Sequence, residues 1–165
     1  MKTEPGEFSF DDLVAAPRSQ HHWDGVRNYQ ARNFMRDEFK RGDLVFIYHS
    51  SVAEPKVMGI AEVVREAYPD SFALDPKSPY FDPKSEATGE SRWVMVDVAA
   101  RSRMSQPVTL ATMREQPTLQ GMALLRPGQR LSIQPVTKDE WDIVVSLGKP
   151  CPLLKGQGQR SPRKS

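Results

Sequence analysis

The strand-forming runs of this 165-residue chain do not alternate with helices in any regular way, and that order most restricts what it can fold into. Residues 43–49 (Asp-Leu-Val-Phe-Ile-Tyr-His) form a dense apolar run rich in strand formers. Residues 57–64 form a second, behind the turn signal Glu54-Pro55, and Gly59 inside it marks a bulge or a close approach. Residues 92–98 read as a strand, and residues 131–136 as another because apolar and polar residues alternate there. Between them, residues 65–91 carry Pro69, Pro76, Pro79 and Pro83 and read as an irregular insertion with a short strand at 72–74. Helical signals stand elsewhere. Ser9 can cap a short helix that Pro17 stops. Ala31, Phe34, Met35 and Phe39 recur at three- and four-residue spacing over 28–40, and Gly42 ends that run. Residues 108–115 and 119–125 read as short apolar elements, and Thr137 with Glu140 forms a capping box for a last helix reaching about 147. Strands without βαβ alternation predict an α+β fold: an antiparallel or mixed sheet, curled or closed into a small barrel, with helices around it.

The length fits one domain at 1–150 with a tail at 151–165. One cysteine, Cys151, excludes an internal disulfide framework. No apolar run approaches the ~18 residues of a membrane span, and no signal peptide opens the chain. A soluble, monomeric, cytoplasmic or nuclear chain is expected, with no membrane partner. The formal charge of +2 divides unevenly. The tail holds Lys155, Arg160, Arg163 and Lys164 and no acid, while residues 1–150 carry nineteen bases against twenty-one acids. Rich in Gly, Ser, Gln and Pro, the tail is expected to be disordered from about 152.

Motifs for metal, nucleotide or nucleophilic chemistry are missing. His21 and His22 are adjacent, so they point apart on a strand and lie about 100° apart on a helix, which makes no zinc pair. Neither phosphate-loop pattern nor Gly-x-Ser-x-Gly occurs. No cofactor and no catalytic residue is expected. The conspicuous segment is Trp23-Asp24-Gly25-Val26-Arg27-Asn28-Tyr29-Gln30-Ala31-Arg32-Asn33. Trp and Tyr offer faces for stacking, Asn and Gln offer paired donors and acceptors that match a base edge, and Arg suits phosphate. Residues 18–41 hold six bases against three acids, within a slightly acidic body. The alternative is that Trp23 and Tyr29 fill the core, the arginines form a solvated helix face and Gly25 is only a turn. Tyr48, His49, Ser50 and Ser51 end a strand and could reach a pocket, or be structural. Trp93 could wall a pocket or fill the core, and Arg130 and Ser132 could meet the same site or face outward.

These residues resemble the EVE domain family. The resemblance runs over about residues 2–147, through Lys2-Thr3-Glu4-Pro5, the eleven-residue Trp-Asp-Gly segment, Tyr48-His49-Ser50, Glu66-Ala67-Tyr68-Pro69-Asp70, Trp93 and Arg130-Leu131-Ser132-Ile133-Gln134-Pro135-Val136. Family members carry a few aromatic and aliphatic residues before the Lys-Thr-Glu-Pro motif, where this chain has Met1. The resemblance implies a PUA-like fold, a small curved antiparallel barrel with outer helices, related to YTH domains. It also implies recognition of a modified base, a methylated or hydroxymethylated cytosine or a methylated adenine, flipped into an aromatic-walled pocket in DNA or RNA. By that analogy Trp23 and Trp93 are walls, and Ser50, Asn28 and the backbone at Lys2 and Thr3 meet the polar edge of the base. Arg27, Arg32 and Arg130 hold phosphates; Asp24, Gly25, Val26, Tyr48, His49 and Ser132 complete the site. Glu4 and Asp24 could instead tie the amino-terminal strand to the loop. Two other readings stand beside this one. One is an RNA-binding PUA-like domain without preference for modification. The other is a small nucleoside-acting hydrolase or transferase with Glu4, Asp24 or His49 as acid or base.

Overall fold

The computed structural model describes residues 1–154. Its frame is the pairing of β3 (Leu44–His49), β4 (Lys56–Pro69) and β5 (Val94–Thr109), antiparallel throughout. The apolar run of β3 is continuous because the sheet is covered on both faces. Ile47 points into one core with Phe10, Leu13, Val96 and Val98, while Phe46 and Tyr48 point into a second with Val57, Ile60 and Val144.

Two short strands extend the frame. β1 (Lys2–Thr3) pairs with β3 in parallel, and β2 (Gln20–Trp23) pairs antiparallel with residues 96–99 of β5. β6 (Pro150–Pro152) takes the next stretch of β5, at residues 102–104. The order is β1-β3-β4-β5-β2, with β6 also on β5. The fold is therefore α+β as expected, but the sheet is mixed rather than antiparallel throughout, and it is not closed into a ring. β1 and β2 are its two ends.

The helices follow their caps. Ser9 and Asp12 form a capping box on α1 (Phe10–Ala15), and Thr137 with Glu140 forms another on α5 (Lys138–Gly148). α2 (Tyr29–Asn33) starts on Asn28, whose Oδ1 accepts from the Gln30 and Ala31 amides. It continues only as a π turn, Phe34–Glu38, so the helical run ends before Gly42, which turns the chain into β3. α3 (Pro83–Thr88) and α4 (Leu110–Arg114) are short.

Several expectations are corrected. Residues 65–69 belong to β4, not to an insertion. Residues 72–74 are not a strand: Ser71–Ala73 is a 3₁₀ turn capped by the Asp70 carboxylate. Residues 119–125 are covered by two 3₁₀ turns, Pro117–Leu119 and Ala123–Leu125. Residues 131–136 alternate without being a strand. Ile133 is buried in the first core, Pro135 has no N–H for a ladder, and the Lys2 amide donates to Ser132 O at 2.8 Å. Ordered structure runs past the 150/151 boundary, since β6 ends at Pro152 and the Leu153 amide donates to Arg101 O at 3.0 Å. The expected disorder of the remaining tail lies outside the described residues.

Two buried contacts seat α1 on the sheet. The tip of the Phe10 ring packs against the backbone at Gly59, where a methyl group would collide with it. His49, 8% exposed, accepts the Phe10 amide at Nε2, 3.0 Å away. Burial lowers the His49 pKa from its ordinary 6.5, so the neutral acceptor form is the native one. Two outcomes are expected. Gly59→Ala should destabilise the fold by about 1–3 kcal/mol in urea unfolding, because Phe10 is fully buried and cannot yield. For His49, the folded-state pKa is below the unfolded one. Its contribution is therefore complete above pH 6.5 and is lost as the pH falls from there through the folded value. His49→Gln keeps an acceptor that does not titrate and should flatten this loss between pH 7.5 and 5. His49→Ala should cost about 1–3 kcal/mol by orphaning a buried N–H.

Candidate nucleic-acid interface

Both ends of the open sheet line one cleft of about 780 Å³. Lys2 and Thr3 come from β1, and His21, His22 and Trp23 from β2. The turns after each strand supply Glu4, Glu7, Phe8, Asp24, Gly25, Val26 and Arg27, and Ser50 and Ser51 follow β3. Phe72 and Tyr80 come from the segment between β4 and β5, and Gln129, Arg130 and Ser132 from the loop before α5.

Its aromatic side is a continuous chain of rings. Trp23 meets Phe8 edge to face at 6.3 Å between centroids, Phe8 meets His21 at 4.6 Å, His21 meets His22 at 4.1 Å, and His22 stacks on Phe72 at 5.2 Å. Trp23 is only 8% exposed and belongs to the first core, so it fills the interior with one part and bounds the cleft with another. Trp23 is thus core and cleft border at once.

A buried carboxylate holds this geometry. Asp70 is fully buried at the end of β4. Its Oδ2 accepts from the Gly25 amide at 3.1 Å and from Arg27 Nη1 at 2.8 Å, and its Oδ1 accepts from the Phe72 amide at 2.9 Å. Arg27 also donates through Nε to Tyr80 O at 2.8 Å. It is therefore a tie between the Trp-Asp-Gly loop and the β4–β5 segment, not a free phosphate ligand; its Nη2 is buried without a hydrogen-bond partner among the described residues. Gly25 has φ +75°, and a methyl group on it would come within 2.7 Å of the Tyr80 ring. Only glycine allows both the turn and the close approach.

Charges in the cleft balance by sign. Lys2, Arg27 and Arg130 face Glu4, Glu7 and Asp24. Lys2 Nζ donates to Gln129 O at 3.1 Å, and burial lowers its pKa. Glu4 accepts from Ser51 Oγ at 2.9 Å, which ties β1 to the end of β3. Asp24 accepts no hydrogen bond among the described residues; His22 Nε2 lies 3.5 Å from its Oδ1. The Thr3 carbonyl is already engaged, by the Ser50 amide at 2.9 Å and Ser50 Oγ at 3.3 Å. Tyr80 has its hydroxyl pKa raised by burial and by the nearby Glu7 and Asp24 carboxylates.

Lys2, Thr3, Trp23, Asp24, Gly25, Val26, Arg27, Ser50, Arg130 and Ser132 are thus brought together, while five other residues singled out by sequence lie elsewhere. Asn28 is spent as the α2 cap. His49 serves the Phe10 amide, and Tyr48 is buried in the second core. Trp93 does not wall the cleft: its Nε1 donates to Asp82 at 2.9 Å, and its ring stacks on Tyr29 at 4.8 Å. Arg32 lies over the same Tyr29 ring and donates to Arg92 O at 3.0 Å. This second cluster is pinned by Asp82, which also accepts from Arg92 and Ser85; these hydrogen bonds, that of Ser85 first, hold its pKa well below the usual carboxylate range. Sequence reasoning missed Glu7, Phe8, Phe72, Tyr80 and Gln129, and considered His21 and His22 only as metal ligands; Ser51, at the strand end it did single out, lines the cleft. Aromatic residues in the Pro-rich stretch were the available signal for Phe72 and Tyr80.

Comparison with known proteins places the chain. The family model of the EVE domain matches residues 1–147. Thymocyte nuclear protein 1 of Homo sapiens is 40% identical over 164 residues, which cover 89% of this chain and 72% of that protein. A crystal structure of a Pseudomonas putida protein is 44% identical and superposes with a TM-score of 0.83 over 89% of this chain and 96% of that one. The crystal structure of human THYN1 in complex with 5-methylcytosine containing DNA is 39% identical, with a TM-score of 0.82 over 90% of this chain and 95% of that one. Family match, identity and shared fold agree: this chain is a member of the EVE domain family.

Proposed function

We propose that this protein is a DNA-binding module that reads a modified cytosine, taken out of the base stack into the cleft between β1 and β2, and that it is not an enzyme. The observation that carries the reading is the relative solved with 5-methylcytosine containing DNA, alike in fold over 90% of this chain. The cleft supports it chemically. Its volume of about 780 Å³ accommodates a nucleobase with room for the sugar, and ligand clefts of this kind commonly span about 300–1,000 Å³. A flipped base loses its stacking neighbours, and the ring chain from Trp23 to Phe72 offers replacement. The 5-methyl group adds apolar surface that such a wall rewards. Arg130, which makes no ion pair among the described residues, and Lys2 stand at the cleft for the flanking phosphates.

The non-enzyme reading is supported by how the candidate acids and bases are used. His49 and Glu4 each accept a structural hydrogen bond, and Asp24 has no nucleophile aligned with it among the described residues.

Two outcomes follow. Oligonucleotides that differ in one base should bind tighter with 5-methylcytosine than with cytosine. Trp23→Ala should remove most of that difference and about 1–3 kcal/mol of affinity, the worth of one base–aromatic stack. Because Trp23 is also core, Trp23→Leu should retain stability better while losing stacking; thermal unfolding of both variants separates the effects. Equal affinity for both oligonucleotides, unchanged in either variant, would sink the reading. The second concerns the tail, whose four bases and no acid invite phosphate. Truncation after Leu154 leaves β6 intact and should reduce the salt dependence of binding, by up to ~3–4 in the slope of log K against log salt. The 5-methylcytosine preference should persist.

A further inference from the structure

Reading a methyl group on a pyrimidine leaves a second discrimination unsolved. 5-Methylcytosine and thymine carry the same methyl group on the same ring, so an aromatic wall rewards both alike. They differ on the edge that pairs. Cytosine presents an amino donor at position 4, where thymine presents a carbonyl acceptor. A cleft that takes methylated cytosine without being flooded by thymine must place a hydrogen-bond acceptor at that position.

Three carboxylates line the cleft, and two are engaged. Glu4 accepts from Ser51, and Glu7 accepts from the Tyr80 hydroxyl at 3.5 Å. Asp24 is different. Its side chain is 22% exposed, it accepts no hydrogen bond from the described residues, and the one basic side chain paired with it among those residues is His22, whose Nε2 lies 3.5 Å away. It directly follows Trp23, the tryptophan of the aromatic wall, and precedes Gly25, whose amide is fixed by the buried Asp70. The carboxylate is thus carried on a loop tied down on its far side and lies next to the stacking surface. A half-buried carboxylate that accepts no hydrogen bond, with only an imidazole at 3.5 Å beside it, has unmet acceptor capacity, and an amino group supplies what it lacks.

We infer that Asp24 is a specificity-determining residue: its carboxylate accepts from the 4-amino group of a cytosine-class base and rejects thymine through repulsion between the carboxylate and the O4 carbonyl. This rests on the base-reading function proposed above and adds to it. The wall reads the methyl group; Asp24 reads the amine.

The test uses the full chain and duplexes of one sequence, in which the target base faces an abasic site so that unpairing costs nothing for any base. Targets are 5-methylcytosine, cytosine and thymine, at one salt concentration, with wild type, Asp24→Asn and Asp24→Ala. Wild type should prefer 5-methylcytosine over thymine by roughly tenfold or more. Asparagine is isosteric, and its amide can turn to donate or accept. Asp24→Asn should therefore bring the 5-methylcytosine-to-thymine ratio to within about threefold while leaving the 5-methylcytosine-to-cytosine ratio unchanged. Asp24→Ala should weaken 5-methylcytosine more than thymine. The inference is overturned if wild type binds thymine as tightly as 5-methylcytosine while still preferring it to cytosine, or if Asp24→Asn leaves the thymine ratio unchanged. Failure of wild type to separate 5-methylcytosine from cytosine has a different meaning, since it removes the base-reading function and this inference with it.

Discussion

A single buried carboxylate organises the cleft end of this molecule. Asp70 sits where β4 leaves the sheet, with no exposure to water, and a charge in that position is costly unless it is fully engaged. Its partners are the Gly25 amide, the Arg27 guanidinium and the Phe72 amide, drawn from two segments more than forty residues apart. Those segments supply the Trp-Asp-Gly loop and one aromatic side of the cleft. Arg27 binds both the carboxylate and the Tyr80 backbone, which brings the Tyr80 ring onto the bare backbone of Gly25. Removal of the carboxylate would leave Arg27 with its charge uncompensated and the loop without an anchor. Asp82 does similar work nearby, gathering Arg92, Trp93 and Ser85. The result is that Trp93, which the sequence leaves free to face a ligand or the core, is committed to a stack with Tyr29.

Much of the frame was legible in the sequence because it rests on local or strongly periodic signals. The runs at 43–49 and 57–64 became β3 and β4, both capping boxes formed, and Gly59 marked the place where Phe10 packs on the backbone. The elements that escaped are those whose pairing is decided by distant partners. β2 reads Gln-His-His-Trp, with no apolar alternation, and becomes a strand only because β5 offers residues 96–99 as an edge. β6 contains two prolines, which only an edge strand tolerates. Conversely, residues 131–136 imitate a strand because Ile133 faces the core while Ser132 faces the cleft, an alternation made by two surroundings rather than by a ladder.

The site was legible in the same uneven way. The Trp-Asp-Gly segment drew attention through its density of stacking and polar groups, and Trp23 to Arg27 do line the cleft. Asn28 and Arg32, in the same stretch, do not: Asn28 is spent capping α2 and Arg32 covers Tyr29. Composition cannot register such commitments. His49 carries polar chemistry, but an unpaired amide at the start of α1 claims it. Phe8, Phe72 and Tyr80 complete the cleft from turns without a period of their own.

The open sheet has a thermodynamic consequence. β1 and β2 are short, two and four residues long, each paired along one side, and they stand at opposite ends of the strand order. The cleft occupies the gap that a closing strand would fill in a complete ring. A guest seated there would bridge two margins that the chain itself never joins, and so act as the missing stave of the barrel. Its binding energy would then also be cohesion of the sheet: occupancy would hold both margins in register, and any loosening of either would be felt as lost affinity.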